Sequence, residues 1–246
     1  MEASLVEIFS SVQGEGPLVG QRQIFVRFAH CHRNCAFCDT PTEPAEQFTI
    51  ERIPGSGEFE SLPNPVSVEA LVKLIGEINH PAGVNKAISI TGGEPLLHVE
   101  FLKEFLPEVK KLGLDVYLET SGDLPGALGL VVADVDVVAL DIKLESATGE
   151  PTLWDEHEDS INICNGAQTN YFVKIVTSAD TTLEELHDAS LLPEVSVPVI
   201  LQPMSKTPGN ERIPTAKQML DFQQFLSQYL SDVRVIPQCH KFMGQL

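Results

Sequence analysis

Apolar residues recur along the chain in short runs at 24–28, 87–90, 115–118, 135–140, 171–176 and 197–201, each rich in β-branched or aromatic side chains. Runs of this length and composition predict strands. Between them, apolar positions at helical spacing predict helices over 68–78, 99–112, 182–191 and 215–230. Ser67 is placed to cap the first of these, although Ala70 replaces the glutamate of a reciprocal capping box. Strand and helix patterns that alternate in this way predict an α/β fold with parallel strands and outer helices. We detect no internal repeat.

One stretch breaks the order. Residues 41–65 are rich in proline and glutamate, carry Gly55-Ser56-Gly57 and keep no sustained period, so they read as an inserted or flexible loop. A second regularity is more informative. Polar or small residues follow each strand-like run: His30-Cys31, Thr91-Gly92-Gly93-Glu94, Glu119-Thr120-Ser121-Gly122, Asp141-Ile142-Lys143, Thr177-Ser178 and Gln202-Pro203. In a parallel α/β sheet or barrel the carboxyl ends of the strands share one face, where such folds build their sites. These groups are therefore expected to converge on one pocket.

Composition narrows the field. The chain has 246 residues, 43% of them apolar, which suits one domain over 1–246. Thirty-five acidic against 16 basic residues leave a net charge of -19, which repels a phosphate backbone and argues against direct nucleic-acid binding. No apolar run approaches the roughly 20 residues that span a bilayer. The first residues lack the basic start and apolar stretch of a secretory signal, so a reducing cytoplasm is expected. The five cysteines then read as thiols or metal ligands.

Cys31, Cys35 and Cys38 stand together directly after the first strand. Thiolates ligate both iron–sulfur clusters and zinc. Structural zinc favours four ligands in separated pairs, and here there is one triplet, with Cys164, Cys239, His30 or His32 as possible fourth ligands. A cubane held by three cysteines leaves one iron open to a small molecule.

The spacing C-x3-C-x2-C, followed by Thr91-Gly92-Gly93-Glu94-Pro95, resembles the radical S-adenosylmethionine (radical SAM) superfamily. The glycines allow backbone to approach a ligand, and Glu94 can accept from the ammonium group of SAM. Further segments are more specific: Gln13-Gly14-Glu15-Gly16, Phe25-Val26-Arg27, Cys38-Asp39-Thr40, Glu119-Thr120-Ser121-Gly122, Asp141-Ile142-Lys143, Gln202-Pro203 and the terminal Pro237 to Lys241. Together they resemble the 7-carboxy-7-deazaguanine synthase family. The resemblance implies an incomplete (β6/α) barrel and a homodimer. It also implies conversion of 6-carboxy-5,6,7,8-tetrahydropterin to 7-carboxy-7-deazaguanine with loss of ammonia, in the pathway to queuosine and other deazapurines. A [4Fe-4S] cluster, SAM and Mg2+ are the implied cofactors, and flavodoxin or ferredoxin the implied kind of electron donor.

Residue by residue, the resemblance assigns Cys31, Cys35 and Cys38 to the cluster and Thr40 to magnesium. Gln13, Gly14, Glu15, Arg27, Thr91 and Leu246 match substrate positions. Phe37, Cys38, Asp39, Gly93, Glu94, Ser121, Asp141, Ile142, Lys143 and Gln202 match positions around SAM. Each has a plainer reading: Arg27 in a structural ion pair, Lys143 as the partner of Asp141, QGEG and Thr40 as turns. Lys174 enters the pocket or solvates, depending on the phase of its strand. Three departures stand at the cluster: His30 and His32 where the family commonly has glycine and asparagine, and Phe37 where it commonly has tryptophan. The rival readings are an activase that places a glycyl radical on a partner protein, a zinc-stabilised module using its acidic surface, and a relative acting on a different pterin.

Overall fold

The structure is a computed structural model and describes residues 1–38, 40–41, 43–206 and 211–244. Its strands are β1 (Glu2–Ala3), β2 (Leu5–Val12), β3 (Arg22–Phe28), β4 (Gln47–Glu51), β5 (Phe59–Pro63), β6 (Val66–Ser67), β7 (Ala87–Gly92), β8 (Asp115–Thr120), β9 (Val137–Ile142), β10 (Asn170–Thr177), β11 (Val199–Pro203) and β12 (Val233–Val235). Ten of these form one sheet in the order β12-β11-β10-β9-β8-β7-β3-β2-β4-β5. Neighbours from β3 through β12 run parallel, so each of the six runs predicted from sequence is a strand of the parallel region. Its end strands β12 and β5 do not pair with each other, and the barrel is open.

The near-continuous apolar character of the central strands follows from burial on both faces. Outside lie α1 (Val68–Ile78), α2 (Val99–Lys110), α3 (Pro125–Val131), α4 (Glu145–Thr148), α5 (Trp154–Ala167), α6 (Leu183–Ser190) and α7 (Ala216–Leu226), and a short α8 (Cys239–Phe242) ends the described chain. Ser67 caps α1, accepting the Ala70 N–H at 3.3 Å. The main core packs Ile24, Val26, Ile88, Ile90, Val116 and Leu118 of the sheet with Leu71, Ile75, Phe101 and Phe105 of α1 and α2. Inside the barrel, Tyr117, Ala139, Phe172 and Ile200 form a smaller cluster. Gly16, at φ +65°, presses against it so closely that a Cβ would lie 2.5 Å from Phe172 Cζ, which explains the second glycine of QGEG. The cluster forms a floor beneath the site.

Two expectations need correction. The stretch 41–65 is not an irregular excursion: β4 pairs parallel with β2 and antiparallel with β5, and Phe48 and Ile50 are buried in the main core. Proline and glutamate at the turns mask a short alternating pattern, Phe48-x-Ile50. The second correction is α5, which the periodicity missed. Its buried face carries His157, Ser160, Ile161 and Cys164, and two polar members out of four erase the hydropathy signal.

Candidate active site

The carboxyl ends of the parallel strands surround one cavity, as predicted. Cys31, Cys35 and Cys38 line it together with Ser121, Asp141, Lys143 and Gln202. The cysteine loop follows β3 and is pinned on several sides. The Ala36 N–H donates to Thr148 O at 2.8 Å, Glu94 N–H to His30 O at 2.8 Å, and the Arg33 guanidinium meets Asp123 at 2.7 Å. His30 opens the loop at φ +67°, a conformation that favours glycine. Its ring lies 5.7 Å from that of His98. Gly93 is required by contact rather than by conformation: a Cβ there would lie 1.9 Å from His30 O.

All three cysteines are unbridged thiols. Burial pushes the Cys31 and Cys35 thiols above the ordinary range. Among the described residues no three His, Cys, Asp or Glu side chains close on a single-ion site; the thiols line a cavity wall instead. Three thiolate donors spread over one wall fit an iron–sulfur cluster with an open iron.

The cavity wall also carries a chain of buried charge. Lys143 Nζ meets Asp141 Oδ2 at 2.8 Å and lies 5.4 Å from the centre of the Phe37 ring. Lys174 Nζ meets the same Asp141 oxygen at 3.3 Å and Glu15 Oε2 at 2.7 Å. Burial opposes the charge on both lysines, but the neighbouring carboxylates hold their ammonium groups above the usual range. Burial likewise opposes the charge of Glu15, yet Lys174, together with a hydrogen bond from Gln238, lowers its carboxyl to about 2. Two acceptors in this wall, Asp141 Oδ1 and Gln202 Oε1, are buried with no hydrogen-bond partner among the described residues. Orphaned buried acceptors are costly in a finished interior, so they mark where a ligand's donors belong, and this wall fits SAM.

A second cavity adjoins the first across Glu15, Arg27, Thr40, Thr91 and Glu119, which line both. Gln13 and Gly14 line the second alone. Its polar groups are already engaged. Gln13 Nε2 donates to Gln23 Oε1 at 3.1 Å and to Glu119 Oε1 at 3.3 Å, while its Oε1 accepts the Glu15 N–H at 2.9 Å. Arg27 pairs with Glu7 at 2.7 Å and donates to Thr40 Oγ1 at 3.2 Å. Thr91 Oγ1 donates to Glu119 Oε2 at 3.0 Å.

Not every predicted residue reaches a cavity. Glu94 is turned inward, accepting from Leu96 N, Thr120 Oγ1, Ser121 N and Ser121 Oγ between 2.7 and 3.0 Å. Burial still leaves its carboxyl above the usual range. It lines neither cavity and fixes the turn that presents Ser121. Ile142 is a core residue whose side chain lines neither cavity. Asp39 and Leu246 lie outside the described residues. Conversely, the sequence reading underrated Lys174 and Glu119. Lys174 is in register with Asp141 across β9 and β10, a pairing invisible to a local pattern, and Glu119 was already present in the quoted Glu-Thr-Ser-Gly.

An open parallel barrel with three thiols above its strand ends defines a radical SAM protein, and the Radical SAM superfamily model matches residues 25–148. The chain is 44% identical to the 7-carboxy-7-deazaguanine synthase of Geobacter sulfurreducens, over 99% of this chain and 98% of that protein. It is 36% identical to that of Methanothermobacter thermautotrophicus, over 99% of this chain and 98% of that protein. The chain belongs to the 7-carboxy-7-deazaguanine synthase family. Among solved structures it is similar in fold to QueE from Escherichia coli, with a TM-score of 0.58 at 20% identity over 98% of this chain and 95% of that one. It is also similar to anSMEcpe with bound AdoMet, with a TM-score of 0.53 at 12% identity over 83% of this chain and 61% of that one.

Proposed function

We propose that the chain converts 6-carboxy-5,6,7,8-tetrahydropterin to 7-carboxy-7-deazaguanine with loss of ammonia, binding SAM in the thiol-lined cavity and the pterin in the adjoining one. The observation that carries this reading is the shared wall: Glu15, Arg27, Thr91 and Glu119 line both cavities, so ligands in the two would lie in contact. When bound and reduced, a [4Fe-4S] cluster with SAM supplies a 5′-deoxyadenosyl radical.

The residues of the chain bind, orient and exclude water. Cys31, Cys35 and Cys38 hold the cluster, and Asp141 Oδ1 and Gln202 Oε1 take donors of SAM. Arg27 grips the substrate carboxylate through a guanidinium already oriented by Glu7. Gln13 and Glu119 read the amino and carbonyl edge of the pterin, exchanging the hydrogen bond they make to each other. Thr40 supplies one ligand to Mg2+, the rest coming from substrate and water. Family resemblance supports a homodimer acting as one domain in the cytoplasm and fed by a flavodoxin or ferredoxin. No helix among the described residues is long and apolar enough to cross a membrane.

The test is anaerobic turnover of reconstituted protein with SAM, a reductant, Mg2+ and the pterin, read by mass spectrometry. The expected result is 7-carboxy-7-deazaguanine without matching consumption of SAM. Cleavage of SAM with the pterin left intact would overturn the substrate.

A further inference from the structure

We propose that Lys174 is a positioning residue that couples the two cavities, making the binding of SAM and of the pterin depend on each other through one shared ammonium group. The proposal rests on the assignment of those ligands to the two cavities. Lys174 projects from β10 into the interior with only 12% of its side chain exposed and meets two carboxylates, Glu15 at 2.7 Å and Asp141 at 3.3 Å. The carboxylates belong to different walls: Asp141 lines the thiol-lined cavity alone, whereas Glu15 lines both.

The arrangement is unbalanced in a way that a ligand can tip. Asp141 crowds two ammonium groups onto Oδ2 and leaves Oδ1 buried without a partner among the described residues. A donor from a ligand landing on Oδ1 draws charge from that carboxylate and weakens its hold on Lys174. The ammonium then leans toward Glu15, whose second oxygen accepts from Gln238 Nε2 at 2.8 Å. Gln238 precedes Cys239, whose N–H donates to Gly14 O at 2.8 Å, so the movement reaches the Gln13-Gly14-Glu15 turn and the terminal segment together. In a buried setting such charge–charge effects escape most screening by salt. Linkage requires the converse: the pterin, by fixing Glu15, sharpens the site for SAM to the same degree.

The experiment measures SAM affinity of the cluster-loaded protein by equilibrium dialysis, with and without saturating pterin, and pterin affinity with and without SAM. The wild type is expected to show a reciprocal coupling factor of at least about fivefold. In Lys174→Met each ligand still binds, but the factor falls to near one, and Lys174→Arg restores part of it. Should the lone methionine leave two buried carboxylates too poorly compensated to fold, the double variant Glu15→Gln/Lys174→Met removes one charge of each sign, leaves Asp141 with Lys143, and is expected to show the same loss of coupling. Retention of the wild-type factor in the methionine variants, or a factor of one in the wild type with both ligands bound, would overturn the proposal. A wild type that binds SAM and no pterin would instead overturn the functional reading on which the proposal stands.

Discussion

The two cavities share a wall but are finished to different degrees. The thiol-lined cavity contains buried acceptors without partners among the described residues, Asp141 Oδ1 and Gln202 Oε1, and three thiols joined to no other cysteine. In the Gln13–Gly14 cavity, Gln13 and Glu7, which do not line the first, already hold defined partners in Glu119 and Arg27. The first thus gains hydrogen bonds when it fills. The second must exchange the hydrogen bonds it has for those of its ligand, so binding there costs reorganisation and is the more easily weakened by one substitution.

Substitutions on either side test this difference. The largest effect is expected from Cys35→Ala, which removes one of three cluster ligands: reconstituted protein should lose its brown absorbance and all SAM cleavage. Arg27→Ala should leave cluster content and SAM affinity unchanged while raising the KM for the pterin by about 10–100-fold, the scale of a charge-assisted pair. Unchanged turnover kinetics would remove Arg27 from the substrate site.

A third prediction concerns the support of the thiol-lined cavity. His157 bridges two loops, with ring nitrogens 3.1 Å from Gly122 O and 3.3 Å from the Lys143 N–H. Burial lowers its pKa from 6.5 to about 4. Above pH 6.5 the ring is neutral whether the chain is folded or not. Between pH 6.5 and 4 only the unfolded chain takes up the proton, so stability falls as pH falls, by up to about 3 kcal/mol. Urea unfolding across this range should show that slope, and His157→Gln, which keeps a donor and an acceptor, should flatten it. An equal slope in the variant would assign the loss to other groups. The smallest effect is expected from Thr40→Ala, which should blunt the magnesium dependence of turnover by less than about tenfold and spare SAM cleavage in the absence of pterin.

How much of this was legible in the sequence depended on the distance between the parts. Six of the seven strands of the parallel stretch from β3 to β12, α1 and the cysteine loop each depend on residues close in the chain, and the pattern revealed them. The convergence of Thr91, Ser121, Asp141 and Gln202 was legible too, because a parallel sheet places every strand's carboxyl end on one face. Lys174 was not, since its role depends on register with Asp141 across two strands and on Glu15, more than a hundred residues away. The motif made Glu94 a ligand contact, and it could not show that the fold also turns its carboxylate onto Ser121 and Thr120. The hairpin of β4 and β5 and helix α5 were hidden by composition, the first by prolines and the second by a buried face half made of His157 and Ser160.

The division of labour between the cavities is tested most directly by an anaerobic crystal structure of the cluster-loaded protein with both SAM and 6-carboxy-5,6,7,8-tetrahydropterin. The account predicts donors of SAM on Asp141 Oδ1 and Gln202 Oε1, with the pterin carboxylate on Arg27 and its ring between Gln13 and Glu119. A pterin seated against Asp141, or SAM that leaves both orphaned acceptors unmet, would contradict it.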